Sequence, residues 1–310
     1  MYSDLYDFPF LRVLFECRVT GPLLYFTPRR GETIKGLIAH EMKKLFPCDF
    51  QTSCDKCGMD NRKDCVYTRF FRFDCCDTPF SYVIVPPLSR KSIYYQNETV
   101  RFEIRLFGEC AHPDYIIQYL APAIEQGGLL AGIGTWYKEE KQHFGRFRLS
   151  GIHTWQENSW KRIFDEANGF TDDTIPVQSF EALYGANKHD YNRVAFYTPF
   201  CLQRDKKAIP EPSVADIIYF SIMRLRAVTG NRKAMIKDDV MESLEAVNTV
   251  ASKFEETFSA RHLSYSIGTL AFESDKELPQ ELVSLLKLGS LCHIGKGTTQ
   301  GYGGYFVGVG

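Results

Sequence analysis

Two passes through the order strand, helix, strand, strand, helix, strand, a strict alternation at residues 99–107, and a glycine-crowded loop before the closing strand of each half predict an α+β chain. The class these features specify is a pair of tandem ferredoxin-like (RRM-like) domains, each a four-stranded antiparallel sheet with two helices. The expected boundaries are 1–154 for the amino-terminal domain with a cysteine-rich insertion at 47–78, 155–190 for a linker or insertion, and 191–310 for the carboxyl-terminal domain with its glycine-rich loop.

The first strand is expected from Pro9 to Thr20, an aromatic and β-branched run with charges at Arg12, Glu16 and Arg18. After the Gly21-Pro22 turn a helix follows from Glu32 to Phe46, where Ile34, Leu37, Ile38, Met42 and Leu45 gather on one side at about 100° per residue. Strands are expected at Phe80 to Val85 and Thr99 to Phe107, the second alternating Val100, Phe102, Ile104 and Leu106 against Arg101, Glu103 and Arg105. A helix from Pro113 to Ile124, the glycine-rich GGLLAGIG and a strand from Phe144 to Leu149 complete the first half. Residues 155–190 show no sustained period. In the second half, strands are expected at Tyr191 to Leu202, His262 to Phe272 (straight, or a hairpin bent at Gly268) and Gly304 to Val309. Helices are expected at Val214 to Val228, Asp239 to Phe258 and Leu278 to Leu288.

Composition bounds the rest. A length of 310 residues suits two domains, and 44% hydrophobic content with 24 Phe, 17 Tyr and 3 Trp excludes disordered and collagen-like classes. No run of eighteen apolar residues occurs, and the start MYSDLYDFPF carries acids where an export signal carries basic residues, so a cytoplasmic location is expected. A net charge of −1 gives the whole molecule no pull toward nucleic acid, but Arg224, Arg226, Arg232, Lys233 and Lys237 form a local basic stretch. Six of ten cysteines fall between Cys48 and Cys76, which argues for a local metal site or free thiols rather than disulfides. The Cys54-x2-Cys57 bite, completed by Cys48 and Cys65, fits a structural zinc; no second Cys-x2-Cys pair is present, and packed thiols are the competing reading.

The last loop, LGSLCHIGKGTTQGYGGYFVGVG, places Gly295, Gly297, Gly301 and Gly303 around Lys296 and Thr298, a composition that suits backbone amides approaching a phosphate. Five residues, not four, separate Gly289 from Gly295-Lys296, Gly297 replaces the hydroxyl residue, and a strand follows, so a nucleotide P-loop is disfavoured. The plainer reading is a tight helix-to-strand crossing. RNA contacts are expected from Arg29 and Arg30, from Arg69 and Arg72 within TRFFRFD, and from the basic stretch, since cations interleaved with aromatics suit backbone tracking and base stacking.

HIGKGTTQGYGGYFV, ARHLSYS at Ala260 to Ser266, FYTPFCLQR at Phe196 to Arg204, and IKGLIAHEMKKL before the cysteine cluster and Cys65-Val-Tyr67 together resemble one family. It is the CRISPR-associated precursor-crRNA-processing endoribonuclease of the RAMP superfamily, and the resemblance spans nearly the whole chain in order. It implies a metal-independent enzyme that binds repeat RNA and cuts it by attack of a 2′-hydroxyl on the adjacent phosphate, leaving a 2′,3′-cyclic phosphate and a 5′-hydroxyl. It also implies a catalytic residue in or just after the first helix. His40 stands there on the polar side with Lys44 one turn on, Gly36 one turn before, and Tyr25 in the preceding segment. The expected roles are general base or acid for His40, stabilisation of phosphate charge for Lys44, and a helper for Tyr25. A tyrosine, histidine and lysine spread into the loop beyond the helix is a familiar pattern in the family; here that loop holds cysteines, which leaves His262 (beside Arg261) and His293 as rival bases. A non-cleaving guide-RNA subunit of a CRISPR effector complex and a zinc-stabilised protein-interaction module are the alternatives, with other effector subunits or a homodimer as partners.

Overall fold

A computed structural model gives the fold and describes residues 7–46, 65–71, 81–134, 145–171, 174–183, 191–230, 244, 247–260, 263–274 and 278–309. The chain divides into two compact units, Phe10–Val177 and Gln178–Gly310 with Met1–Pro9.

The first unit contains β1 (Pro9–Val19), β2 (Leu23–Tyr25), α1 (Arg30–Leu45), α2 (Val66–Phe71), β3 (Tyr82–Val85), β4 (Ile93–Tyr95) and β5 (Thr99–Phe107). A helical stretch follows in which π-turns at Tyr115–Leu120 and Gly127–Ala131 flank α3 (Ala121–Gln126), and β6 (Phe147–Gln156), β7 (Ser159–Asp165) and β8 (Gly169–Phe170) close the unit. The main sheet runs β3-β5-β1-β6-β7-β8, while β2 and β4 form a separate ladder. Period-two patterning sets the two faces of that sheet. Leu11, Val13, Phe15, Cys17 and Val19 of β1 join Val100, Phe102, Ile104 and Leu106 of β5 in one core, where Ile34, Leu37, Ile38 and Met42 of α1 also lie. Phe15 pairs directly with Phe102, their rings stacked at 5.5 Å. Leu45 departs from expectation: at the last turn of α1 it is 38% exposed.

The opposite face carries charge. Arg12 donates to both oxygens of buried Glu103 at 2.6 and 3.2 Å, Arg105 adds a third bond at 2.9 Å, and the Arg12 guanidinium lies over Trp155 and Trp160. Burial alone would raise the Glu103 carboxyl, but the Arg105 and Arg12 charges outweigh it and hold the group at about 2 instead of 4.5. A depressed folded-state value stabilises the fold above the unfolded value and loses that contribution as pH falls toward the folded one, a change of about 3 kcal/mol here. Thermal unfolding of wild type and Glu103→Gln at about pH 7 and about pH 3 checks this. The wild-type advantage is expected to shrink on acidification; an advantage that is equal at both pH values overturns it.

The second unit holds β9 (Gln178–Ser179), β10 (Arg193–Phe196), the short pair β11 (Gln203–Arg204) and β12 (Lys207–Ala208), α4 (Val214–Thr229), β13 (Val247–Ala260), β14 (Leu263–Ser274), α5 (Gln280–Cys292) and β15 (Tyr305–Gly308). Its sheet runs β13-β14-β10-β15. In each unit the four sheet strands that alternate with helices therefore stand in the order second, third, first, fourth, and the chain is a tandem ferredoxin-like protein. α4 starts at a capping box of Ser213 and Asp216 and stops at left-handed Gly230.

Two expectations fail on strand pairing. The helix anticipated from Asp239 to Phe258 is, from Val247 on, strand β13, which pairs with β14 from Val247↔Ser274 to Ala260↔Leu263. Its β-branched Val247, Thr249, Val250 and Thr257 suit a largely exposed edge strand, and the ladder with β14 runs its full length. β14 runs straight through Gly268, where a Cβ would stand 2.2 Å from the Lys253 carbonyl, so the glycine admits the neighbouring strand rather than bending its own. The anticipated linker at 155–190 also begins inside the first sheet: Glu157 and Asn158 take φ of 48° and 61°, and this tight turn folds β7 onto β6 with Trp155 opposite Trp160.

One crossing recurs. After the second helical segment of each unit an isoleucine amide donates to a glycine carbonyl just before the fourth of these sheet strands, Ile133 to Gly145 at 2.9 Å and Ile294 to Gly303 at 3.0 Å. The residue before each isoleucine has positive φ, and it is Gly132 (φ 71°) in one unit and His293 (φ 57°) in the other.

Candidate active site

α1 has an exposed side built by small and polar residues. Gly36 has open space where a Cβ would stand, and His40, one turn on, is 62% exposed. Lys44 follows after another turn with its side chain 52% exposed. Between them Glu41 faces inward, its side chain only 2% exposed. One oxygen of that carboxylate, Oε1, lies 2.9 Å from Lys44 Nζ and 3.7 Å from His40 Nε2. The helix thus offers a solvent-facing imidazole and ammonium that share a single buried anion, with a thinned surface beside them. A base, a cation and room for a ribose-phosphate are what intramolecular phosphodiester attack requires.

Glu41 is the member of this group that sequence reasoning passed over. The available signal was the i, i+3 spacing to Lys44. What buries it comes from another element: a Cβ at Gly127 would stand 2.4 Å from Leu37 Cδ2 and 3.3 Å from Glu41 Cγ, so the glycine lets the π-turn lie flat on α1. Tyr25 stays half-buried in β2 as the ladder partner of Ile93. Arg30 is tied to the β3–β4 connection, donating to the carbonyls of Pro87 at 2.8 Å and Ser89, which makes it an anchor for that loop. Arg29 remains largely exposed at the helix start, 3.9 Å from Glu32. Arg69, in α2, is bonded to the Tyr115 hydroxyl and paired with Glu109 at 3.3 Å.

In the second unit several expected RNA contacts turn inward. Arg224 is buried and donates from Nε to the Cys292 carbonyl at 2.9 Å, placing its charge at the carboxyl end of α5; burial lowers its pKa to about 10. It staples two helices and presents no guanidinium to solvent. Arg226 is half-buried, with Nη1 3.7 Å from Met223 Sδ. His293 is fully buried, its Nε2 3.0 Å from the Tyr197 hydroxyl and its Nδ1 3.2 Å from the Tyr302 carbonyl, so it is set aside as a rival base.

The glycine-rich loop is likewise a packing device. Lys296 donates its amide to Cys201, Gly303 to Pro199, Gln300 to Gly297, Gly301 to Thr298, and Gly304 to the Thr198 hydroxyl. Those five donors are bound to the protein's own acceptors and so are not open to a phosphate. Thr298 is buried, and the group the loop offers outward is the exposed Lys296 side chain. Arg72, Arg232, Lys233, Lys237, Arg261 and His262 lie outside the described residues, as do Cys48, Cys54 and Cys57 of the zinc expectation. Cys65 is a free thiol, half-buried at the start of α2. Among the described residues no trio of His, Cys, Asp or Glu side chains is disposed to hold a metal ion, and no helix is long and apolar enough to cross a membrane.

Comparison with known proteins gives two family matches and a set of structural ones. A model described as AF_1859_N, N-terminal domain, matches residues 8–176, and a model of the CRISPR-associated endoribonuclease Cas6 matches residues 194–305. Among solved structures, a partial Cas6-RT-Cas1–Cas2 complex superposes with a TM-score of 0.61 at 11% identity, over 97% of this chain and 46% of that one. The chain therefore spans about half the length of that relative, and 29% of the chain in a second structure of the complex. A Cas6 product complex gives 0.54 at 13% identity over 96% of this chain and 99% of that one. Thermus thermophilus Cas6 gives 0.54 at 12% identity, over 97% and 98%. No curated protein matches. At such identities the superpositions establish a shared fold.

Proposed function

Because the chain belongs to the family of the AF_1859_N amino-terminal domain and is a CRISPR-associated protein of Cas6 type, we propose that it is an endoribonuclease that cuts CRISPR repeat RNA into guide RNAs. The observation that carries the reading is the exposed His40–Lys44 pair on α1, tied to one carboxylate and flanked by the open surface at Gly36. His40 Nε2 accepts the proton of the ribose 2′-hydroxyl, the 2′-oxygen bonds to phosphorus, and the bond from phosphorus to the 5′-oxygen breaks. The Lys44 ammonium meets the charge that grows on the non-bridging phosphate oxygens. The products are a 2′,3′-cyclic phosphate and, once the leaving oxygen takes a proton, a 5′-hydroxyl. Arg29, Arg226 and Lys296 contact the RNA backbone as exposed or half-exposed cations, and Tyr25 contributes to ribose placement.

One tube tests this proposal: labelled repeat RNA, purified protein and EDTA. A defined fragment ending in a cyclic phosphate is expected. A product that forms only with added magnesium overturns the mechanism, and RNA that is bound but never cut overturns the enzyme assignment in favour of a guide-RNA-binding subunit.

A further inference from the structure

We infer that Glu41 is a positioning residue for the cleavage step, acting through Lys44 and His40; this rests on the reading of those two groups as catalytic. A carboxylate whose side chain is 2% exposed needs compensation, because taking an isolated charge out of water costs several kcal/mol. Glu41 finds it in Lys44 Nζ at 2.9 Å, with His40 Nε2 at 3.7 Å from the same oxygen. Its burial is built in: the π-turn glycine at 127 lets the neighbouring helical stretch close over its Cγ, where any side chain would push the two elements apart.

Two consequences follow for the reaction. An ammonium has three donors. One bond to Glu41 fixes Lys44 in direction and leaves two donors for phosphate oxygens, so a flexible four-carbon stem reaches the transition state already oriented. When His40 takes the 2′-hydroxyl proton, its cation forms 3.7 Å from an oxygen of an anion that is already held in place. The carboxylate is buried, while the His40 and Lys44 side chains are exposed.

The test is single-turnover cleavage of labelled repeat RNA by Glu41→Gln, Glu41→Asp, Lys44→Met and the Glu41→Gln/Lys44→Met double variant, with Tm and RNA affinity measured on each. Glu41→Gln is expected to lose about 10- to 100-fold in rate with RNA affinity retained, and Glu41→Asp to recover part of it. In the Lys44→Met background the same Glu41→Gln change is expected to cost less than in the wild-type background, since only the His40 side of the interaction is left there. A structural role would give equal losses in both backgrounds, or losses that track Tm, and either result overturns the inference. Glu41→Gln cutting at the wild-type rate while His40→Ala is dead removes Glu41 alone. His40→Ala cutting normally removes the catalytic reading and this inference with it.

Discussion

His40→Ala is expected to lower the single-turnover rate of repeat-RNA cleavage by about 10³-fold, roughly 4 kcal/mol of barrier, with the RNA still bound. The side chain is 62% exposed and packs in no core cluster, so its removal leaves the hydrophobic interior of the first unit intact. Loss of rate therefore reports chemistry rather than folding. Binding should survive because the backbone contacts proposed for Arg29, Arg226 and Lys296 do not involve the imidazole. A gel assay for cleavage beside a filter-binding isotherm on the same preparation decides it, and an unchanged rate moves the proton acceptor off α1 altogether. His293 would not inherit the role, since it is fully buried between Tyr197 and Tyr302.

Gly303→Ala is expected to be the most damaging small substitution in the second unit. A Cβ there would stand 1.8 Å from the Ile294 carbonyl oxygen, at a φ of 75° that L side chains rarely adopt. The obstacle is main chain and cannot rotate away, and the Gly303 amide also anchors to Pro199. A loss of about 3–5 kcal/mol is expected, a fall on the order of 10 °C in Tm. Gly308→Ala is the control, for it meets nothing within 4 Å and has ordinary φ. Equal melting of the two variants would mean that the crossing tolerates a backbone shift that its hydrogen bonds argue against.

Where sequence and structure agree, local periodicity carried the information. β1 and β5 are buried on the residues their alternation marks, and α1 turns Ile34, Leu37, Ile38 and Met42 inward and His40 outward as a 3.6-residue period requires. Where they disagree, the deciding contact was remote. β13 looks helical until β14 is beside it; the hairpin at Glu157-Asn158 carries neither glycine nor proline to announce it. Arg224 and the glycine loop misled in a shared way. Both have the composition of a phosphate site, but Arg224 and several of the loop's amides are bound to acceptors of their own unit, which composition does not reveal. Glu41 was invisible for the reverse reason: an acid on a helix looks solvated until a glycine on a neighbouring stretch is seen to admit it to the interior.

The matched crossings make the halves unequal trading partners. Glycine could take the place of His293 without backbone strain in that bend, at the loss of the side chain's bonds to a phenol and a carbonyl. The reverse exchange has no such freedom: at position 132 the first atom of any side chain would already press to 2.9 Å against the Gly145 carbonyl. One module can carry a side chain at this corner, while its twin is held to the smallest residue there is.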